Sequence, residues 1–253
     1  MKTMQVIVDS QLAHYETHGR GETILLLHGW ADSAAGLAGL QKALAKKYKV
    51  IALDLPGFGG TQAPDGVWGL DEYAQFVGKF LAKIDATKLK AIVGHSNGGA
   101  IAIRGIARGW LQADRLVLLA SAGVRGEYEG RTKALRLIAK AGKVLTMPLP
   151  RSVRQRLRKK VYTAIGSDML VAEHLQETFK KIVADDVRED AARLSLPTLL
   201  IYGDQDDVTP LRFAEILQDA IKSSKLEILS NVGHFVHKDE PKKVVQLIEG
   251  FLT

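Results

Sequence analysis

The chain has no cysteine, which excludes disulfides, thiolate metal centres and a cysteine nucleophile. It has no apolar run of about 18 residues or more, so no segment is expected to span a membrane. The opening Met1-Lys2-Thr3-Met4-Gln5-Val6 offers no apolar run of secretory length, and a cytoplasmic location is the expectation. Internal repeats, low-complexity tracts and linker-like stretches are also lacking. What is present is a chain of 253 residues with 46% hydrophobic and 25% charged content. That is enough to bury a large core and too apolar for a disordered tail.

Acidic residues are scarce in one place. Between Arg125 and Lys160 stand 12 basic residues and only two acids, Glu127 and Glu129. This run carries +10 of a whole-chain charge of +7, so the remainder sums to −3. The excess charge belongs to one stretch rather than to the protein at large.

Hydrophobic patterning alternates between two periods. Gln5–Val8 and Leu12–Thr17 read as short strands joined by a turn. Thr23–Leu27, Val50–Leu53, Leu89–Val93 and Leu116–Ala120 are near-continuous apolar runs, the mark of strands covered on both faces. Between them Leu37–Lys47, Asp71–Ile84 and Gly98–Arg108 carry helical spacing. From Val124 to Ala191 no strand run occurs. Helical patterns appear there at Thr132–Val144, on a basic stretch with Val153, Leu157 and Val161, and at about Asp168–Leu175 and Glu177–Asp185. Pro197–Tyr202 and Leu226–Leu229 then resume the strand rhythm, with helices at Leu211–Ile221 and Pro241–Leu252. The pattern predicts an α/β fold, a mostly parallel central sheet flanked by helices. The expected organisation is a core of residues 1–123 and 192–253 with an all-helical cap inserted at 124–191.

Gly94-His95-Ser96-Asn97-Gly98 falls between a strand and a helix. A serine there occupies a tight, strained turn that projects its hydroxyl, and small residues two positions either side let strand and helix approach. The backbone amide of Asn97 then opens a helix and can face a developing negative charge. A serine hydroxyl needs a base, and the base needs an orienting acid. His234, on the loop after the Leu226–Leu229 strand, is the expected base. His237, beside Lys238, reads as a solvated surface residue. Asp204, Asp206 and Asp207 all lie on the loop after Pro197–Tyr202, and spacing alone does not separate them. Asp207 or Thr209 would also suit an N-cap for the helix that follows. The loop His28-Gly29-Trp30 can present a second amide, that of Trp30, to an oxyanion. His28 and His95 read as packing or hydrogen-bonded residues.

These motifs resemble the α/β-hydrolase superfamily, and specifically a serine carboxylesterase-like member with a helical cap. The resemblance rests on Leu27-His28-Gly29-Trp30, Asp54-Leu55-Pro56-Gly57-Phe58-Gly59, Gly94-His95-Ser96-Asn97-Gly98-Gly99, Gly203 through Pro210 and Gly233-His234-Phe235. It selects Asp206 as the acid and implies a triad of Ser96, Asp206 and His234, with oxyanion amides from Trp30 and Asn97. Asn97 departs from many relatives, which carry Met, Leu or Gln there, and its polar side chain is placed to touch substrate. A serine at position 96 sets the chain apart from dehalogenases and epoxide hydrolases of this fold, which use an aspartate. The Trp30-Ala31-Asp32-Ser33 segment differs from the Gly- and Pro-rich one of carbon–carbon bond hydrolases. The implied activity is hydrolysis of a small-molecule carboxylic ester, with no metal and no organic cofactor. The basic run adds an acidic protein or an anionic lipid surface as candidate partners. Nucleic acid is not expected, since aromatics are not interleaved with the basic residues.

Overall fold

A computed structural model describes residues 2–125 and 172–253. Strands β1 (Lys2–Val8) and β2 (Gln11–His18) form an antiparallel hairpin. Its two-residue turn, Asp9-Ser10, has both φ angles positive, which matches the twist of the flanking strands. The remaining strands are β3 (Thr23–Leu27), β4 (Lys49–Leu53), β5 (Leu89–His95), β6 (Ala113–Leu119), β7 (Thr198–Gly203) and β8 (Ser224–Leu229). They line up in the order β1-β2-β4-β3-β5-β6-β7-β8. β2 meets β4 antiparallel, and every pairing from β4 to β8 is parallel. The expected mostly parallel sheet is therefore observed.

The continuous apolar runs have a direct reason. Successive residues of a strand point to opposite faces, and both faces here are covered. Leu25, Leu27, Ile92, Leu118 and Leu200 pack on one side, with helices α2 (Leu70–Lys83), α3 (Asn97–Ala107) and Leu211–Ala220. Ile24, Leu26, Val93, Leu119 and Ile201 pack on the other, with α1 (Ala38–Leu44) and Pro241–Leu252. Each such side chain, fully withdrawn from water, contributes roughly 1.5–3 kcal/mol.

Between β6 and β7 the described residues form a 3-10 turn at Glu173–Leu175 and helices α4 (Gln176–Ala184) and α5 (Arg188–Ala191). The expected helices at Thr132–Val144 and around Val153–Val161 lie outside the described residues, as does the first half of Asp168–Leu175. The ends of this segment meet. Val187 N–H donates to Gly123 O at 2.9 Å, and Arg125 N–H donates to Asp186 Oδ2 at 3.2 Å. Buried Arg104 of α3 anchors the returning end. Its Nε lies 2.5 Å from Asp190, its Nη2 2.9 Å from Asp185, and its Nη1 pairs with Asp71 of α2. Burial works against this charge, but the surrounding carboxylates outweigh it and hold the guanidinium protonated.

The last helices are α6 (Leu211–Ala220), the short α7 (Val236–Asp239) and α8 (Pro241–Leu252). Among the described residues no helix is long and apolar enough to cross a membrane.

Candidate active site

Parallel strands deliver their C-terminal ends to one edge of the sheet, where loops can converge. His28-Gly29-Trp30 follows β3, Ser96 follows β5, Asp206 follows β7 and His234 follows β8. The three side chains expected to cooperate are thus brought to one edge by topology alone.

Ser96 sits at φ 50° and ψ −116°, a strained conformation for a residue with a side chain. The chain around it is held on three sides. Its N–H donates to Leu119 O at 3.0 Å, and its carbonyl accepts from Gly99 and Ala122, each at 3.0 Å. The flanking glycines are required by contact. A Cβ at Gly94 would lie 2.6 Å from Gly98 O, and one at Gly98 would lie 2.3 Å from Leu27 O. No side chain larger than hydrogen fits without moving the strand or the helix.

Asp206 is buried, while Asp204 and Asp207 are exposed. Its Oδ1 accepts from the amides of Val208 and Thr209 at 2.8 and 2.9 Å. Its Oδ2 lies 2.8 Å from His234 Nδ1. Asp204 instead accepts from Asn231 N–H at 2.7 Å. Of the three acids, only Asp206 touches a histidine. The N-cap expectation for Asp207 or Thr209 is corrected: Pro210 precedes α6 and no side chain caps it. Thr209 does other work. Its hydroxyl is 2.7 Å from Asp206 Oδ2, 3.1 Å from His234 Nδ1 and 3.0 Å from Ala120 O. Sequence reasoning missed this brace, although the Asp-x-x-Thr spacing in a tight loop was a usable signal.

Three further histidines lie at this edge of the sheet. His95 Nε2 lies 3.0 Å from the carbonyl oxygen of His234, so this nitrogen carries the proton and donates. Burial, then the neighbouring His234 and His237, push its pKa well below the ordinary value. His28 donates from Nδ1 to Gly29 O at 2.7 Å and accepts Leu55 N–H at Nε2, 2.9 Å. Burial pushes its pKa down as well, and the neutral ring ties the Gly29-Trp30 loop to the Asp54–Gly59 loop. Both histidines are structural, as expected. His237 is not. The reading of a solvated residue is corrected, because it is only 5% exposed and packs edge-on against His95 at 4.7 Å. Burial pushes its pKa down to about 4. The turn into α7 folds it inward, while Lys238 takes the outward position over the Phe235 ring.

Asp54 organises the opposite rim. Its carboxylate accepts from Ala34 N–H at 2.6 Å and Gly60 N–H at 2.8 Å, and lies 2.6 Å from His14 Nδ1. The Trp30 side chain packs between Phe58 at 4.9 Å and Phe179 of α4 at 5.1 Å. The backbone N–H groups of Trp30 and Asn97 meet no acceptor among the described residues. For Asn97 the cause is plain, since the first amides of a helix have no intrahelical partner.

Ser96 opens into a cavity of about 120 Å³. Its wall includes Leu70, Ile182 and Phe213, with Thr209, Asn97 and Asp185 as polar members. The hydrogen bonds of the site join Asp206 to His234; none joins His234 to the Ser96 hydroxyl.

The pattern of the alpha/beta hydrolase family matches residues 24–247. The chain belongs to that family. AB hydrolase superfamily protein YisY of Bacillus subtilis is 28% identical, with 93% of each chain covered. Monoacylglycerol lipase abhd6-B of Xenopus laevis is 26% identical over 93% of this chain and 76% of its own length. Among solved structures, the meta-cleavage product hydrolase of Pseudomonas fluorescens IP01 superimposes with a TM-score of 0.74 at 24% identity. That match covers 98% of this alpha/beta hydrolase and 96% of the other chain. At that identity the likeness speaks to the fold alone.

Proposed function

We propose that this alpha/beta hydrolase is a serine ester hydrolase acting on small to medium carboxylic esters through an acyl-enzyme. The observation that carries this reading is the Asp206–His234 contact at 2.8 Å, braced by Thr209, which also lines the Ser96 cavity. Asp206 takes the Nδ1 proton of His234 as a hydrogen bond and so leaves Nε2 free to act as a base. His234 Nε2 then accepts the Ser96 hydroxyl proton as Oγ attacks the ester carbonyl. The tetrahedral oxyanion is held by the backbone N–H groups of Trp30 and Asn97. One such donor is worth roughly 2.7–4 kcal/mol. Collapse expels the alcohol, which takes the proton back from His234. Water, deprotonated by the same base, then releases the acid and restores the Ser96 hydroxyl. The Ser96–His234 hydrogen bond forms in the substrate complex, as is common for such sites.

The cavity wall supports an acyl group of modest size and low polarity. A lipid ester is the second reading. It is favoured by a relative described as a monoacylglycerol lipase and by Val183 and Val208, apolar residues that are exposed on the cavity wall. The basic run at 125–160 would suit an anionic surface or an acidic carrier protein.

The test is hydrolysis of p-nitrophenyl butyrate by the wild type and by Ser96→Ala. Loss of about four to six orders of magnitude in kcat is expected, with loss of fluorophosphonate labelling. Comparable rates in the two proteins would remove Ser96 from the mechanism. Turnover of anionic lipid vesicles that falls steeply with salt, while the soluble ester is unaffected, would favour the lipid reading.

A further inference from the structure

His95 stands next to Ser96 in the chain, and its ring reaches the loop that carries His234. Its Nε2–H donates to the His234 carbonyl at 3.0 Å, and the two imidazoles lie 4.8 Å apart. Among the described residues that carbonyl accepts from no other donor. Another edge of the same ring faces the loop after β3. A Cβ added at Gly29 would come within 3.0 Å of His95 Nδ1 and 3.1 Å of the Ser96 Cβ. One side chain thus stands between the loops after β3 and β8, a single peptide bond from Ser96.

The ring has little freedom. His95 is 2% exposed, and Phe235 at 5.5 Å and His237 at 4.7 Å close on it. Its Nδ1 is shut away from solvent and has no hydrogen-bond partner. The carbonyl at 3.0 Å calls for a proton on Nε2, so Nδ1 is bare, and burial keeps the ring neutral. A neutral imidazole has one N–H to give, and here it goes to His234.

His234 therefore has two anchors of different kinds. Asp206 holds its Nδ1 at 2.8 Å. That bond orients the imidazole but leaves it able to pivot about the carboxylate. The second anchor grips the main chain of the same residue and removes the pivot. Among the described residues no hydrogen bond ties His234 to the Ser96 hydroxyl directly, so the short route between them runs through His95. On the ester hydrolase reading above, we propose that His95 is a positioning residue, whose Nε2–H sets the distance from which His234 takes the Ser96 proton. Among the described residues His95 does not line the Ser96 cavity. It acts on the chemical step through His234 and leaves substrate binding alone. A misplacement of about 1 Å at such a base costs on the order of a hundredfold in rate.

Glutamine carries an N–H donor at about the place of Nε2, and methionine has a similar length without one. His95→Gln and His95→Met therefore separate the donor from the volume it fills. With p-nitrophenyl butyrate, His95→Met is expected to lose about ten- to a hundredfold in kcat, with KM within about twofold of the wild type. His95→Gln should stay within about threefold of the wild type in kcat. Urea denaturation of both variants distinguishes a misplaced base from a lost fold. A second measurement needs no variant to fold: nitrogen NMR of the wild-type His95 ring at pH 7 should show the neutral form protonated at Nε2. Protonation at Nδ1 overturns the proposal. Equal kcat in the two variants, or a loss confined to KM, overturns it as well, and Ser96-dependent turnover then leaves the esterase reading standing. Turnover that is absent in the wild type, or that persists in Ser96→Ala, overturns the esterase reading and this one with it.

Discussion

The Thr209 hydroxyl lies 2.7 Å from Asp206 Oδ2, the oxygen that faces His234 Nδ1. One hydroxyl proton is placed to reach either that carboxylate or the Ala120 carbonyl. In the first arrangement it strengthens the carboxylate's hold on its position and leaves His234 a defined partner.

Thr209→Val keeps the shape and removes this bond. The backbone amide of residue 209 still serves Asp206 Oδ1, so the loop should persist. Activity on p-nitrophenyl butyrate is expected to fall about tenfold or more, in keeping with about 1.5–3 kcal/mol for a hydrogen bond to a charged group. Steady-state kinetics across pH 5–9 would measure it, and an unchanged kcat would show the brace to be idle.

The nucleophile turn tolerates no added methyl. Gly98→Ala would drive a Cβ to 2.3 Å from Leu27 O, and backbone on both sides leaves nowhere to yield. A loss of at least about 2 kcal/mol in urea denaturation is expected, with activity reduced on the order of a hundredfold. Wild-type stability and rate in this variant would mean that strand and helix are less tightly apposed than described.

Arg104 is surrounded by Asp71, Asp185 and Asp190, and Asp190 is itself buried. Removing the cation leaves buried Asp190 only the longer pairing with Arg108 at 3.6 Å, so Arg104→Met should cost about 3 kcal/mol. Arg104→Lys should recover little, because an ammonium cannot reproduce the planar fork that reaches separate carboxylates. Equal denaturation midpoints for the Met variant and the wild type would refute this.

Acid should destabilise the fold before it protonates ordinary carboxylates. His237 has a pKa of about 4 when folded, and burial holds His95 and His28 down in the same direction. The unfolded chain binds protons at these sites near pH 6.5 and the folded one does not. Their contribution is therefore complete above about pH 6.5 and lost progressively as pH falls toward 4. His237 alone accounts for about 3 kcal/mol. Urea midpoints at pH 7 and pH 5 should differ, and His237→Phe should flatten the difference.

The strands were legible because double burial removes polar residues from Thr23–Leu27 and Leu116–Leu119, leaving runs that no amphipathic helix shows. Pro241–Leu252 was legible to the residue, with a proline at its start and an apolar stripe. The Ser96 position followed from a motif whose glycines solve contacts, whereas Asp206 was separated from Asp204 and Asp207 only by the family resemblance. What escaped was set across the chain rather than along it. His237 is buried by His95, a residue far away in sequence, and nothing local to His237-Lys238 announces this. Thr209 had a plausible local use as a cap, and tertiary contact with His234 gave it another. Arg104 drew no reading from the sequence, because the three aspartates that close over it come from α2 and the β6–β7 segment.

The Val187–Gly123 hydrogen bond brings the two ends of the β6–β7 segment together, and its described part is held further by Arg104, by Trp30 on Phe179 and by Trp68 N–H on Thr178. Its two roots sit one backbone pairing apart, so a turn of about two to four residues would close the gap. Lengthening the segment between its ends costs the sheet little, because loop entropy grows only with the logarithm of length. The framework that carries Ser96, Asp206 and His234 can therefore stay constant while descendants trade one crown for another.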